Sequence, residues 1–569
     1  MLSDEFGRLT RLKRGYNGPP VLFIPVPRQS DRTTQKHANK IFQQKGKKPT
    51  HKVLKSKKDA RSALLTYCDD TSLHAFKYFA QEDCHKMGRT FWSVALAVVY
   101  VLVTYLIWGQ VLDFINSPVL ISFQPEPTLI STIPFPAVTL CPDMQIRRAK
   151  FNLTAATRPG AELTEDELAY LYVSSIVCDM VFHGHQGLPW SWFYPATFRN
   201  FSFDHISYSR CRDFVLGLQC ALKEVNDPCF YFQPTYSEQG GCFSYNLLPT
   251  KQLYKPAGWY NFYDDSSVRY DSIWSPDNGY EVLSKKQIRP TKDGNPPWAV
   301  SDSAVVTGYD FFLQAPLHLF EELCIGARGF HGFIHNPAEI PNSRHTYFYL
   351  SPNHHLDIKV EPQVQTVSPN LLRWAPESRM CYLQNERPLA FFKFYTQKNC
   401  EMECASNFSL QRCGCVSFNY PRASDTRICA PRAWACLSKF SEETDYYGAS
   451  CNCLPACSEI EYGAQFTSVE KDWTERNYIP KNKSHETVHM SIRIHYRTKF
   501  VQAIKRSSPK TFIDLVADVG GLISLFTGFS ILSLVEIFYH LFMKKRLEPE
   551  SNLNDSTAEG INVETSINY

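Results

Sequence analysis

The sequence predicts a membrane protein with two transmembrane helices, a large disulfide-rich α+β extracellular domain between them, and N- and C-terminal tails in the cytosol. Three observations predict it. Two runs of the 569-residue chain are long and apolar enough to cross a bilayer. The tail before the first run is strongly basic. Seventeen of the 19 cysteines lie between the two runs.

Residues 1–90 form the N-terminal tail. It carries 19 Lys+Arg against 8 Asp+Glu, a net of +11, with the clusters KGKK and KSKK. The positive-inside rule places it in the cytosol. The whole chain has a formal charge of only +4, too mild for a nucleic-acid binder. The basic clusters can touch anionic membrane lipid or remain solvated tail. The first span, residues 91–112, reads FWSVALAVVYVLVTYLIWGQVL and has no charge in 22 residues. At about 1.5 Å rise per residue it covers the ~30 Å hydrocarbon core. It starts too far into the chain for a cleaved signal peptide.

Residues 113–512 form the loop between the spans, long enough for its own core. An oxidising exterior lets disulfides persist, which suits its cysteines. Four glycosylation sequons, at Asn152, Asn200, Asn407 and Asn482, fall in the same region. A fifth, at Asn554, is expected to stay unmodified in the cytosol. Alternating stretches at 242–247 (CFSYNL) and 490–496 (MSIRIHY) predict strands. Thr164 followed by Glu167 makes a capping box and predicts a helix over 164–177. No internal repeat is visible.

Ten cysteines crowd into residues 381–457. Cys413-x-Cys415 and Cys451-x-Cys453-x-x-x-Cys457 have spacings that can hold zinc, but the exterior compartment favours disulfides, so no metal is expected. Cys400 and Cys404 stand one helical turn apart, so both can face a segment carrying Cys451 and Cys453. That arrangement is a ladder, stiff enough to carry movement toward the membrane. The second span, residues 513–543, contains VADVGGLISLFTGFSILSLVEIFYHL, with two carboxylates, a Gly-Gly pair and a Gly-x-Ser. Lys544, Lys545 and Arg546 open a cytosolic tail over 544–569.

From Tyr67 to Leu541 the chain resembles the degenerin/epithelial sodium channel family, most of all its insect pickpocket branch. The motifs appear in family order: FPAVTLC (135–141), GGCFSYN (240–246), GFHGFIHNPAEIP (329–341), NCEMEC (399–404), RCGC, YPR, CNCLPAC and DVGGLISLFTGFSILSLVEI. The resemblance implies a homo- or heterotrimer with palm, finger and thumb regions, passing sodium ions through the plasma membrane. It implies the pairs Cys381–Cys457, Cys400–Cys453, Cys404–Cys451, Cys413–Cys436, Cys415–Cys429, Cys141–Cys242 and Cys220–Cys229. We add Cys178–Cys211, which leaves Cys324 over.

On a continuous helix Asp518, Gly521, Leu525, Gly528, Leu532 and Glu536 share one stripe. Three such stripes around an axis give a water-filled path with an acidic ring near each end, which favours cations. Gly528, Phe529 and Ser530 resemble the family's selectivity belt. Gly528 and Ser530 can both line it only if the backbone opens into an extended link. Close helix packing is the bland alternative for Gly and Ser. The resemblance assigns Ser524 to pore blockers of the amiloride type. It assigns Ala517 to a gating site where bulky side chains hold the gate open. It assigns His74 to a re-entrant tail that lines the inner path. There the family has His-Gly, but this chain has Ala75, which is costly if that position needs a positive φ.

His331, His335, His354 and His355 can sense protons or bind metal, though satisfied loop histidines are commoner. No nucleophile–base pair, phosphate loop or catalytic acid pair stands out, so neither an enzyme nor a cofactor is expected. The expected function is a subunit of a sodium channel in sensory signalling. The alternatives are an obligately heteromeric, accessory or receptor subunit and, further off, an ATP-gated channel.

Overall fold

The computed structural model describes residues 67–543 except 81–84, 117–118, 159, 179–210, 221–222, 257–273, 281–295, 322–323, 325–327, 430–432, 434–435, 438–450 and 474–486. The expected sites Asn200 and Asn482 therefore lie outside the described residues, as do both tails beyond 67 and 543. Asn152 and Asn407 are exposed on the domain surface.

Helix α1, Lys86–Asn116, carries the first apolar run and outruns it at both ends. Almost all of its surface faces outward, as a lipid-facing helix requires. It is the one described helix long and apolar enough to cross a membrane by itself. The second apolar region is not the single helix expected over 513–543. It qualifies as a span only as a broken pair bent by 68°.

The chain just after α1 and the chain just before the second apolar region enter the same sheet. Leu120–Phe123, just after α1, pairs antiparallel with Ile504–Ser507, just before the second region. From this edge an eight-stranded mixed sheet continues through His354–Val367, Thr487–Tyr496, Tyr309–Pro316, Val215–Cys220 and Lys223–Glu224. Glu459–Glu470 pairs antiparallel with His354–Val367 along nearly its whole length, from His354 opposite Glu470 to Gln365 opposite Glu459. A second, five-stranded sheet is ordered Thr346–Leu350, Phe330–His335, Ala137–Pro142, Gly240–Tyr245 and Phe232–Ser237. The apolar faces of both sheets pack on one core. Phe135, Phe214, Tyr245, Tyr309, Phe311, Phe330 and Tyr496 are fully buried within it, mostly in edge-to-face contact.

The helix expected at 164–177 is α2, Glu165–Val177, with Thr164 and Glu167 capping each other. The strand expected at 490–496 starts three residues sooner, and the one expected at 242–247 is displaced to Gly240–Tyr245. Helix α3, Gln397–Cys413, carries the ladder: Cys400 bonds Cys453 and Cys404 bonds Cys451. Cys381–Cys457, Cys413–Cys436, Cys415–Cys429 and Cys141–Cys242 also form, as the resemblance implies.

Three cysteine expectations are corrected. Cys229 bonds Cys211 rather than Cys220, and Cys178 bonds Cys324 rather than Cys211. Cys220 keeps its thiol. The cause is strand alternation: Leu218 and Cys220 share the inward face of their strand, and Cys220 sits opposite Tyr309 in the aromatic core. Cys211, on a helical turn outside that strand, is free to reach Cys229.

Candidate functional site

The broken second region is built by local signals. Helix α4, Phe512–Thr527, starts at a capping box in which Thr511 and Asp514 satisfy each other's backbone N–H groups. It ends because Gly528 turns left-handed, at φ +70°, while its N–H donates to the Ser524 carbonyl at 2.8 Å. Ser530 is extended and caps helix α5, Ile531–Phe538, through Ser533. A last turn, Tyr539–Met543, is π-helical. The chain between Thr527 and Ile531 therefore leaves the helical path, and helical carbonyls at this end lose their usual partners.

The bend splits the expected stripe in two. Asp518, Gly521 and Leu525 share an exposed face of α4, and Leu532 lies exposed on α5. Ala517 and Ser524 are exposed on α4, Phe529 is half-buried and Ser530 is exposed. A side chain added at Gly521 would meet nothing within 4 Å.

The segment 67–80 folds back onto this break. The His74 N–H donates to the Thr527 carbonyl at 3.0 Å. The His74 ring lies against Gly528 so closely that an added Cβ would come within 2.8 Å of it. Ser72 donates from its N–H and its hydroxyl to Glu536 Oε2, at 3.3 and 3.2 Å, and its hydroxyl lies 3.0 Å from the Ser533 hydroxyl. Further along, Asp70 sits 3.7 Å from His540, whose ring meets Tyr67 edge-on. Ala75, beside His74, has φ +65°, a left-handed conformation that a glycine adopts without strain and an alanine does not. The sequence thus brings His74, Gly528 and Glu536 into one cluster. Ser72 belongs to it and was not anticipated, since a serine in a tail carries no signal of its own.

At the opposite end of α4, Asp518 has a partner that sequence reading missed. Lys510 Nζ lies 2.7 Å from Asp518 Oδ2 and 2.7 Å from Gln110 Oε1 on α1. The chain flanking both apolar regions also meets the stapled domain nearby. Phe114 of α1 packs on Trp374, ring centres 5.4 Å apart. Arg506, five residues before Thr511, donates to the Met380 carbonyl at 2.6 Å. Met380 follows the fully buried Arg379, which is tied to Glu386 and to the Trp374 and Cys381 carbonyls.

The four singled-out histidines are dispersed. His331 pairs with Asp143 at 2.9 Å, His354 faces the Pro352 carbonyl and His355 the Ser491 hydroxyl. His335 lies buried between Thr139 and the Asn336 carbonyl. Burial first, then the neighbouring His345, lowers its pKa to about 3, so it is neutral. It borders a polar cavity of about 280 Å³ with Glu339, His345, Lys398 and Glu461. Burial opposes ionisation of Glu339, but the His345 hydrogen bond and charge outweigh it and hold its carboxyl below the usual range. Nearby Glu459 is pushed up to about 8 by burial and by the Glu339 and Glu461 charges. Among the described residues no three His, Cys, Asp or Glu side chains converge as a metal site.

The family model described as amiloride-sensitive sodium channel matches residues 67–540. Pickpocket protein 28 of Drosophila melanogaster is 25% identical over 506 residues, 85% of this chain and 79% of the relative. The sodium channel protein Nach of the same fly is 25% identical over 83% of this chain and 86% of its own length. The human bile acid-sensitive ion channel is 21% identical over 83% and 84%. A cryo-EM structure of a proton-activated chloride channel aligns at 7% identity and a TM-score of only 0.26, covering 79% of this chain and 96% of its own.

Proposed function

We propose a function from one premise: the chain belongs to the amiloride-sensitive sodium channel family. That family is one of ion channels and not of enzymes, and membership makes this chain a cation channel subunit. Beyond that, we read it as one of three subunits of a sodium-preferring channel of the plasma membrane, with both tails cytosolic and a role in sensory signalling.

The observation that carries this reading is the break at Gly528–Ser530, with its 68° bend. Irregular backbone at membrane depth is tolerated where it is buried in protein or lines water, because lipid offers no hydrogen bonds. Three copies placing this break around an axis supply carbonyls that replace part of a small cation's water shell. In this reading Gly528, Phe529 and Ser530 form the selective constriction. Asp518, Gly521 and Leu525 line the approach from outside, Leu532 and Glu536 line the exit, and His74 lies at the constriction's inner side. Ser524, whose carbonyl accepts the capping N–H of Gly528, is the position for an amiloride-type blocker, and Ala517 is the gating position.

The test is expression at the cell surface with recording in sodium, potassium and choline. Sodium current that amiloride blocks, with none in choline, is expected. Surface protein that stays silent when expressed alone, yet conducts with a related subunit, would replace the homotrimer by a heterotrimer. Silence in every combination would favour the receptor reading.

A further inference from the structure

Lys510 stands one residue before the Thr511 cap of α4, and two groups from separate helices converge on it. Its Nζ is 2.7 Å from Asp518 Oδ2, two turns along α4, and 2.7 Å from Gln110 Oε1 on α1. The capping box at Thr511 and Asp514 fixes the backbone from which it springs. Neither charge is buried: the side chains of Lys510 and Asp518 are 36% and 45% exposed, so water and ions can reach both.

A solvated surface pair does not account for this geometry. A cation beside a helix N-terminus opposes the helix dipole and gains nothing there on its own. The neutral acceptor Gln110 adds no charge attraction, yet it draws the ammonium between two helices. Asp518 is also the only Asp, Glu, Lys or Arg of α4 beyond its first turn. Whatever positive group sits on Asp518 therefore sets the charge of that end of the helix.

Building on the proposed conduction reading, we propose that Lys510 is a specificity-determining residue: a tethered counter-ion that occupies the Asp518 carboxylate. Mobile cations meet a neutral site while the ammonium is seated and an acidic one when it withdraws. Because Gln110 shares the ammonium, seating it also links α1 to α4, and separation of the two helices removes one of the two groups that hold the ammonium in place. The competitor is a hydrated monovalent or divalent cation, and divalent ions gain most from three bared carboxylates.

Single-channel recording on the full chain tests this with Lys510→Gln, Lys510→Arg and Asp518→Asn. Lys510→Gln is expected to raise unitary sodium conductance at low ionic strength by about two-fold and to strengthen block by external magnesium, both effects shrinking in high salt. Lys510→Arg should behave as wild type. In the Asp518→Asn background, Lys510→Gln should change neither quantity. An unchanged conductance and block in Lys510→Gln, or an equal change with Asp518 already neutralised, would overturn the proposal and leave the conduction reading standing. A second measurement needs no current: Gln110→Cys with Lys510→Cys should be joined on surface protein by a short bis-methanethiosulfonate, each thiol displacing one sulfinate, and failure to join them overturns the proposal. If the pair joins while every wild-type combination is silent, the conduction reading falls and this inference falls with it.

Discussion

The stapled region over 381–457 and the membrane region differ in what holds them. In the first, five disulfides with Cα separations of 4.9–6.2 Å staple the segment, three of them, from Cys400, Cys404 and Cys413, tying α3 to the chain that follows it. In the second, α4 and α5 meet at a three-residue link, and the polar contacts described at its two ends are single hydrogen bonds and ion pairs: the Lys510 ammonium at one end, Ser72 and the His74 N–H at the other. A disulfide stabilises by roughly 2–4 kcal/mol, a hydrogen bond by about 1 kcal/mol net. A covalently stapled part resists deformation, so on our reading a displacement of it would pass through Trp374 and Arg506 to helices whose contacts are weak enough to exchange. Moving parts are drawn from the low-stability end of a structure. This contrast is the physical basis of the gating we propose.

The heaviest blow to the stiff region is loss of a rung. Cys400→Ser with Cys453→Ser should cost about 2–5 kcal/mol and sharply reduce surface protein. Unchanged surface level and thermal stability would show that the ladder is not what supports the domain. Glu459 sharpens the same region. Its folded pKa of about 8 stands above its ordinary value of 4.5, so the native state holds a proton that the unfolded chain releases. Stability from this group is full below pH 4.5 and is lost as pH rises toward 8, with a slope of at most about 1.4 kcal/mol per pH unit. Glu459→Gln should remove that decline in thermal unfolding at pH 5 and pH 8. Parallel melting shifts in variant and wild type would contradict it.

The soft region is broken by smaller means. Gly528→Ala places a methyl against the His74 ring at a left-handed position, a strain of about 1–3 kcal/mol. Displacement of His74 should alter the sodium-to-potassium preference read from reversal potentials. An unaltered preference would mean that His74 and the link do not act together. The smallest effect is expected from Ala75→Gly, which relieves φ +65° and gains roughly 1 kcal/mol. The re-entrant segment should then dwell longer on α5, so Ser72→Cys with Ser533→Cys should trap a disulfide faster. Equal trapping rates would count against strain at Ala75.

Much of the fold was legible because its signals are local. The capping box at Thr164 and Glu167, the turn spacing of Cys400 and Cys404, and the uncharged run of α1 each act within a few residues. The left-handed position beside His74 was visible too, as the place where Ala75 stands for a family glycine. Contacts between remote segments were not legible. Cys220 and Cys211 are equally plausible partners for Cys229 until strand alternation turns Cys220 into the aromatic core. Nothing in RSSPKTF says that Lys510 reaches Gln110, 400 residues away, nor that Ser72 meets Glu536. The helical stripe was drawn on a continuous axis that Gly528 interrupts, so the bend redistributes its members between two helices.

The central claim is that copies of the broken span enclose an aqueous path, and Leu525, 73% exposed in the single chain, tests it most directly. Sodium current through Leu525→Cys channels should be recorded before and after a positively charged, membrane-impermeant thiol reagent applied from outside. The account predicts rapid, irreversible loss of current. Channels that keep full current with the cysteine unmodified would place Leu525 against lipid and contradict the account.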